Sequence, residues 1–549
     1  MVAIFVAAAG GAAADTYDAP ANYYNAARPG GAWYTGPTLK STLTGIIDGH
    51  VYRSYGEARY AIQLLDVDPN NANNVLLIYN GASVPKVWDS GVTWNREHQW
   101  PDSLISEPDD LFNFKPCNPS LNSSRGNMPY GTGTGEWDAN KGINDRGDCA
   151  RAMFYMATRY PALTLVYGLP AVNQMGDLAD LLAWHYSDPV GSFERRRNHM
   201  MYSAADNPTY YQGNRNPFID HPELVWAIWG TAPNDSMLYL DATPPADGAS
   251  SATANLGVVI KDGPLPPAQA LTLHKGGTHP TTYEVSATGE AASSAIGPRQ
   301  AFVGSADSRV INAGLSSSTS TPGLKTGTLV IDNTELTSSG TGHGSVDGND
   351  SIAVVLEVRD HANASFDGSV DQNTLTIDFG TVTADSGVAT NGFVIYNLAS
   401  PSGYTAKLDG DSISPGGDTA VLSTDLSLFN NLPTGAGLSF TASFDTAAGL
   451  GTYQSSFVLG VSDEDLPGAQ PGTALVLTLT GVIANPAIFP FDSDGDSDVD
   501  LQDYIRFASC ITGPDGGPVT GPCGNHDADV DGDVDLPDYA AFQAAFTGF

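Results

Sequence analysis

Apolar residues recur at helical spacing in the first part of the chain. Over residues 38–67 they return every three or four positions, which is the spacing of one helix face. The segments 147–161 and 177–187 are rich in Ala, Leu, Met and aromatic residues, and VLLIYN at 75–80 is typical of a short buried strand. Residues 15–240 are therefore predicted to form a mainly helical α+β domain.

Beyond this domain the pattern changes to short alternating strands. Residues 241–254 are rich in Pro, Ala, Gly and Ser, which is typical of a linker. Segments such as TLVIDN, SIAVVLEVRD and ALVLTLTGV then alternate apolar and polar residues between turn-forming residues. This pattern predicts two antiparallel β-sandwiches, over 255–360 and 361–485, that act as a spacer or a binding surface. The chain is thus expected to be a multidomain protein.

An Asp-rich repeat lies within residues 490–549. DSDGDSDVDLQD begins at Asp492, and DADVDGDVDLPD begins 35 residues later at Asp527. Both copies place Asp at loop positions 1, 3, 5, 7, 9 and 12, and a predicted helix follows each copy. Alternating oxygen ligands closed by a carboxylate at position 12 suit Ca²⁺. The alternative is a solvated, disordered acidic tail, which two in-phase copies disfavour.

The repeat pair resembles dockerin-type repeats, in which each calcium loop is followed by one helix. The resemblance implies calcium-dependent folding and docking to a cohesin-like partner. It also implies the following Ca²⁺ ligands: Asp492, Asp494, Asp496 and Asp503 in the first loop, and Asp527, Asp529, Asp531 and Asp538 in the second.

Charge is unevenly distributed along the chain, whose net charge is −37. The first 240 residues carry 16 Lys and Arg against 24 Asp and Glu, whereas the remaining 309 residues carry 8 against 37. A polyanion is therefore expected to bind the N-terminal domain rather than the rest of the chain.

Residues 1–14 resemble the apolar part of a secretory signal, although the positively charged start of such a signal is missing. The alternative is an ordinary apolar N-terminus. Since no other apolar run approaches the roughly 20 residues that span a bilayer, we expect a secreted or periplasmic protein without a membrane span.

Four cysteines occur in two local groups. An even number in a secreted protein indicates two disulfides, although the sequence does not fix their pairing. The grouping favours the pairs Cys117–Cys149 and Cys510–Cys523.

The stretch NREHQWPDS at 95–103 places Glu97 beside His98. It lacks the H-E-x-x-H and H-x-x-E-H patterns of zinc peptidases, and the chain shows no G-x-S-x-G serine elbow. A helix predicted over 118–126 presents Asn122 and Arg125 on one face. A neutral His as base, carboxylate and amide oxygens for a hard cation such as Mg²⁺, and an Arg for phosphate are the groups that phosphodiester hydrolysis requires.

Five ordered blocks across residues 38–232 resemble the bacterial endonuclease I family of the ββα-metal (His-Me finger) superfamily. The resemblance implies that His98 is the general base, that Glu97 and Asn122 hold Mg²⁺ or another divalent ion, and that Arg125 lies near the phosphate. It implies low-specificity cleavage of DNA, and often RNA, leaving a 5′-phosphate. The blocks are NREHQWPDS, DLFNFKPCNPSLNSSRGN, RGDCARAMFYMATRY, ERRRN and QGNRNPFIDHPEL.

We therefore expect a secreted, metal-dependent, sequence-nonspecific endonuclease. One alternative is a non-enzymatic extracellular scaffold or adhesion protein with a degenerate nuclease domain, which the intact Glu97, His98 and Asn122 disfavour. Another is a metal phosphodiesterase acting on phospholipid, which the lack of an amphipathic apolar surface segment disfavours. The adjacency of Glu97 and His98 leads to the hypothesis that their strand ends or bulges there, so that both side chains reach one phosphate.

Overall fold

The computed structural model describes residues 17–246, 248–304, 307–336, 347–485, 490–495 and 498–547. The chain divides into two units, of which the first contains residues 1–257, 265–318 and 324–357. The second contains residues 258–264, 319–323 and 358–549. The expected signal segment 1–14 lies outside the described residues.

The N-terminal part of the first unit combines helices with short sheets. A three-stranded sheet has the order β1-β2-β3, β4 and β5 form an antiparallel hairpin, and β6 and β7 pair in parallel. The helices are α1 (Gly36–Ile47), α2 (Tyr55–Leu65), α3 (Pro119–Arg125), α4 (Arg146–Arg159), α5 (Leu178–Ser187), α6 (Ser192–Tyr202), α7 (Pro217–Asp220) and α8 (Leu224–Trp229). The strands are β1 (Val67–Asp68), β2 (Asn71–Leu76), β3 (Ser83–Pro85), β4 (Asn95–His98), β5 (Phe114–Cys117), β6 (Thr164–Leu165) and β7 (Gln174–Met175).

Helix α4 is the centre of this part of the fold. Nearly all of its side chains from Cys149 to Thr158 are buried, because α1, α5 and α7 pack around it. Helix α2 begins at a capping box, in which Ser54 and Glu57 satisfy each other's backbone N–H groups. The capping box fixes where α2 begins, and Tyr55 is the first residue of α2.

A β-sandwich completes the first unit, and it begins earlier than the sequence predicts. Strand β8 pairs with β10, and β9 begins at Ser251, so the last four residues of the predicted linker 241–254 belong to a strand of the sandwich. The two sheets have the orders β12-β14-β10-β8 and β13-β11-β15-β16-β9. Its strands are β8 (Met237–Tyr239), β9 (Ser251–Ile260), β10 (Gln269–Gly276), β11 (Thr281–Gly289), β12 (Ala291–Ala292), β13 (Gly297–Phe302), β14 (Ser308–Leu315), β15 (Gly323–Asn333) and β16 (Asp350–Arg359).

The first sandwich packs into the core of the helical part. Leu336 is buried in the same apolar cluster as α1 and α4. The Tyr186 hydroxyl donates to Oε1 of the buried Glu335 at 3.0 Å, and Nε of Arg299 donates to the Ile219 carbonyl at 2.9 Å. The sandwich is therefore part of the same packed unit as the helices.

The second unit contains the other sandwich, with sheets β17-β19-β23-β21 and β18-β25-β24-β20-β22. Its core lies between the two sheets and is lined by inward-facing apolar residues such as Phe444, Leu459 and Leu477. The predicted sandwich is present and its strands pair antiparallel, except that β18 pairs with β25 in parallel. Its strands are β17 (Ala364–Ser365), β18 (Thr374–Thr383), β19 (Val388–Asn397), β20 (Leu408–Gly417), β21 (Leu422–Thr424), β22 (Phe429–Leu432), β23 (Gly437–Asp445), β24 (Gly451–Asp463) and β25 (Leu475–Ala484).

The C-terminal module has two helices, α9 (Leu501–Cys510) and α10 (Leu536–Ala545), each following one Asp-rich loop. Phe491, Phe507 and Phe542 form its small core. The predicted disulfide between Cys510 and Cys523 is present. Across the described residues, the helices are too short or too polar to cross a membrane.

Candidate active site

The Glu-His pair lies at the end of strand β4. His98 is the last residue of this strand and pairs with Phe114 of β5, while Glu97 pairs with Lys115. The pairing is regular through both residues, so their side chains leave the strand on opposite faces. Although β4 ends at His98, the hypothesis that the strand ends or bulges so as to bring both side chains to one side is wrong, because the pairing stays in register through Glu97 and His98.

The imidazole of His98 lies partly exposed between two aromatic rings. Its ring centroid lies 5.1 Å from that of Tyr55, in a stacked arrangement, and 4.6 Å from that of Phe114, edge to face. Burial lowers the pKa of His98 below its ordinary value, against the opposing effect of the Asp102 and Asp109 carboxylates. The ring is therefore neutral at neutral pH and can accept a proton.

The carboxylate of Glu97 is buried and held through one of its oxygens. Its Oε1 accepts a hydrogen bond from the Tyr79 hydroxyl at 2.8 Å and from Nη1 of Arg125 at 2.5 Å. The Tyr79 hydroxyl is in turn 2.9 Å from that of Tyr130, so the carboxylate belongs to a connected buried network. Among the described residues, no hydrogen bond reaches the second oxygen, Oε2.

Asn122 is positioned by the short helix α3. Asn118 caps the start of this helix by accepting from the N–H groups of Ser120 and Leu121. The Asn122 amide nitrogen donates to Oδ1 of Asn95 at 2.9 Å, which fixes the orientation of the amide. Its carbonyl oxygen Oδ1 receives no hydrogen bond from the described residues, so Oδ1 of Asn122 and Oε2 of Glu97 are hard oxygen donors available to a cation such as Mg²⁺.

Arg125 does not lie where the sequence analysis expected it. Its side chain is fully buried, so it cannot present a bidentate fork to a phosphate at the surface. Besides Glu97, its guanidinium donates to the backbone carbonyls of His98 at 2.9 Å and Gln99 at 2.6 Å. It also lies 4.2 Å from the centre of the Tyr130 ring. The geometry makes Arg125 the cation that fixes Glu97 and the end of β4.

The predicted Cys117–Cys149 disulfide is wrong. Both residues are buried free thiols, and burial raises the pKa of each above its ordinary value. Cys117 ends β5, and Cys149 lies in the first turn of α4. Each thiol packs as a small apolar group in the core, a role that grouping cysteines by sequence distance cannot detect.

Sequence reasoning missed the aromatic residues that surround the site. Tyr55 precedes the Glu-His pair by about 40 residues, and Tyr79 and Tyr130 come from loops on either side of the hairpin. The composition already indicated many tyrosines here, since 17 of the 23 lie in the first half of the chain, but it did not show which of them contact one another.

The Asp-rich loops gather their carboxylates in groups of three. In each group, one oxygen per residue lies within 4.8 Å of the others. Asp503 and Asp538, at loop position 12, are buried and shared by both groups of their loop. Loss of solvation and the nearby Asp531 carboxylate raise the pKa of Asp529. The groups are Asp492, Asp494 and Asp503; Asp498, Asp500 and Asp503; Asp527, Asp529 and Asp538; and Asp533, Asp535 and Asp538.

These groups overlap only in part with the ligands implied by the sequence. Asp496 lies outside the described residues, and Asp531 is absent from the groups of described residues. Positions 7 and 9 of each loop, which the sequence analysis left out, contribute to the second group. The alternating Asp pattern already contained these positions.

Comparisons with known proteins point to one class of enzyme. Residues 35–145 and 143–223 match a family model described as Endonuclease I. Over 224 residues the chain is 38% identical to extracellular ribonucleases of Bacillus amyloliquefaciens and of Bacillus subtilis (strain 168). Each of these alignments covers 36% of this chain and 75% of the relative.

Solved structures add no functional argument. CfaE, the adhesive subunit of the CFA/I fimbria of enterotoxigenic Escherichia coli, is 10% identical to this chain. The match covers 44% of this chain and 100% of CfaE, with a TM-score of 0.22. A likeness at this level says nothing about what the chain binds or assembles with.

Proposed function

Because the chain belongs to the endonuclease I family, we propose that it is a secreted, metal-dependent endonuclease without sequence specificity. Its substrates are DNA and RNA, and the description of its relatives as extracellular ribonucleases supports the second of these. Residues 35–223, which match the family, contain the whole candidate active site.

One observation carries this proposal. A neutral, partly exposed imidazole ends strand β4, and the neighbouring carboxylate and the Asn122 amide each keep one oxygen without a hydrogen-bond partner among the described residues. This is the set of a general base and two hard oxygen donors that phosphodiester hydrolysis requires.

The chain's own residues divide the reaction between them. His98 takes a proton from a water molecule as the water oxygen bonds to phosphorus. The bond from phosphorus to the 3′ oxygen breaks, and that oxygen leaves with a proton from solvent, giving a 5′-phosphate and a 3′-hydroxyl. Glu97 and Asn122 would hold a divalent cation, which when bound would supply charge stabilisation on the phosphate. Arg125 and Tyr79 keep Oε1 of Glu97 occupied, which leaves Oε2 as the oxygen that would serve as a cation ligand.

The test compares two histidines of the same domain with equal exposure. The side chain of His98 is 18% exposed, and that of His199, which pairs with Asp206, is 19% exposed. With the full-length protein, Mg²⁺ and supercoiled plasmid or single-stranded RNA, His98→Ala is expected to lower the cleavage rate by about 10²- to 10⁴-fold. His199→Ala is expected to change it less than about twofold.

The metal requirement of the active site is tested by a substitution, because a chelator would act on the C-terminal loops as well. Glu97→Gln keeps the size of the side chain but weakens the cation site. The variant is therefore expected to need a higher Mg²⁺ concentration than the wild type to reach the same cleavage rate. Wild-type protein that cleaves neither DNA nor RNA with any divalent cation would favour the alternative, a non-enzymatic scaffold or adhesion protein.

We also propose that the C-terminal module binds Ca²⁺ through its two Asp-rich loops. The support is the grouping of carboxylate oxygens within 4.8 Å of one another in both loops, which is the donor set that Ca²⁺ prefers. Docking of this module to a cohesin-like partner is proposed from the resemblance of the repeat pair alone. Titration of the full chain with Ca²⁺, followed by calorimetry, is expected to give two binding events per chain.

A further inference from the structure

The orientation of the His98 ring is not set by a hydrogen bond. A histidine that acts as a base usually has one ring nitrogen fixed by a carbonyl or carboxylate, which orients the other. Among the described residues no hydrogen bond reaches either ring nitrogen of His98. Oδ1 of Asp102 lies 3.9 Å from Nε2, which is beyond hydrogen-bonding distance, and Asp102 itself is exposed. Another contact must therefore hold the ring.

Aromatic packing is the contact that holds it. The Tyr55 ring stacks on the imidazole with an angle of 20° between their planes, and the edge-to-face contact with Phe114 closes a second side. Phe114 is buried in β5 and is the cross-strand neighbour of His98. Stacked and edge-to-face contacts between rings have preferred geometries, so the two rings together restrict how the imidazole can turn.

Tyr55 is fixed although 40% of it is exposed. Its backbone N–H donates to Oδ2 of Asp109 at 2.9 Å, and its carbonyl accepts from Nη1 of Arg96. It is the first residue of α2, directly after the capping-box residue Ser54. Hydrogen bonds to both its N–H and its carbonyl therefore hold the backbone of Tyr55 at the start of the helix.

The Tyr55 ring is also held through its face. The guanidinium carbon of Arg96 lies 3.5 Å from the ring centroid of Tyr55 and 5.0 Å from that of Trp88. Trp88 packs edge to face against the buried Trp94. The Arg96 cation thus contacts the rings of both Tyr55 and Trp88, and the Tyr55 ring in turn contacts His98, the candidate base.

From this arrangement we propose that Tyr55 is a positioning residue, whose ring, fixed by Arg96, holds the imidazole of His98 in the orientation that accepts a proton from water. The inference rests on the proposed role of His98 as the general base. It differs from a role of Tyr55 in stacking on a substrate base, because a positioning residue changes kcat, whereas a substrate contact changes KM.

The kinetic test uses the full-length protein, Mg²⁺ and a fluorogenic single-stranded DNA oligonucleotide. Tyr55→Leu is expected to lower kcat by about 10- to 100-fold with KM within about threefold, since small misplacement of a reacting group is costly. Tyr55→Phe keeps the stacked ring and is expected to stay within about twofold of the wild type. Tyr60→Leu is the matched control, because Tyr60 lies on the same helix, is 43% exposed and stacks on Tyr210.

A spectroscopic test follows the His98 ring without any activity. In protein labelled at histidine, the ring protons of His98 are expected to resonate upfield through the ring current of Tyr55; the assignment comes from loss of the signal in His98→Gln. The shift is expected to persist in Tyr55→Phe and to disappear in Tyr55→Leu.

Two results would overturn the proposal: unchanged kcat in Tyr55→Leu, whether or not KM rises, or a His98 resonance that does not respond to loss of the ring. If the wild type itself proves inactive, the proposed function fails, but the resonance still decides whether Tyr55 holds His98. Retained resonances of the other histidines in Tyr55→Leu would show that the variant folds.

Discussion

The candidate active site and the C-terminal module both depend on carboxylates, but they surround them with different neighbours. Glu97 is buried against the Arg125 cation and the Tyr79 hydroxyl, so the chain itself balances its charge. Asp503 and Asp538 are equally buried but lie within groups of carboxylates, which repel one another. The first region thus has protein partners for its buried carboxylate, whereas in the second the balancing charge would come from the Ca²⁺ proposed above.

The largest effect is expected when the protein partner of Glu97 is removed. Arg125→Met leaves a buried carboxylate without its cation and is expected to lower the free energy of unfolding of the helical part by about 3–5 kcal/mol. Urea unfolding of the full chain, followed by tryptophan fluorescence, measures the change. Nuclease activity is expected to fall with it, because Glu97 loses its orientation.

Arg146→Met provides the control for this comparison. The Arg146–Asp138 ion pair is about one third exposed on each side, so its loss is expected to cost less than about 1 kcal/mol. Equal losses in the two variants would contradict the view that the buried pair holds the site together.

Calcium removal is expected to act on the opposite end of the chain. A ligand that binds only the folded module stabilises it by about 3 kcal/mol at 100 times its dissociation constant. Chelation with EGTA in the presence of Mg²⁺ is therefore expected to lower the stability and helicity of the C-terminal module while plasmid cleavage continues.

The variant Asp538→Asn tests calcium binding at one loop alone. Asp538 belongs to both carboxylate groups of its loop, whereas the exposed Asp515 belongs to neither. Asp538→Asn is expected to abolish one of the two calcium-binding events, and Asp515→Asn is expected to leave both. Helicity that does not respond to calcium in the wild type would count against a calcium-dependent module.

The two regions also differ in what the sequence alone could predict. Each Asp-rich loop carries its carboxylates within 12 residues, so local spacing was sufficient to predict that they lie together. Helix α4 was likewise predicted within one or two residues, since its apolar pattern is continuous. Spacing placed Arg125 one helical turn from Asn122 but could not show that its side chain points into the core.

Contacts between distant elements account for most of what was missed. Tyr55 reaches His98 only because α2 packs beside the β4–β5 hairpin. The free thiols Cys117 and Cys149 come from a strand and a helix whose packing the sequence does not specify. Such contacts depend on tertiary structure, whereas motifs such as Glu97–His98 depend on neighbours in sequence.

A smaller effect is expected from carboxylates that have neither a cation nor a basic partner. Burial raises the pKa of Asp347 in the first sandwich to about 7. The folded state therefore retains a proton that the unfolded chain releases above about pH 4, so stability falls as the pH rises from about 4 through 7.

Asp347→Asn imitates the protonated acid and removes this dependence. Relative to the wild type, the variant is expected to gain stability on the order of 2 kcal/mol between pH 5 and pH 8. Asp307→Asn, which removes a partly exposed carboxylate paired with Arg309 in the same sandwich, is expected to show no such trend. Urea unfolding at several pH values measures both, and parallel curves for the two variants would refute the prediction.

The smallest effect is expected from reduction of the full chain. Reductant opens the Cys510–Cys523 bond, which constrains the C-terminal module, but Cys117 and Cys149 near the candidate active site are already thiols. Plasmid cleavage is therefore expected to change less than about twofold in the presence of reductant. Alkylation of the unfolded, unreduced protein, followed by mass spectrometry, is expected to modify Cys117 and Cys149 and to leave Cys510 and Cys523 unmodified. A protein with no alkylated cysteine, or one whose cleavage stops on reduction, would mean that the helical part is held by a disulfide after all.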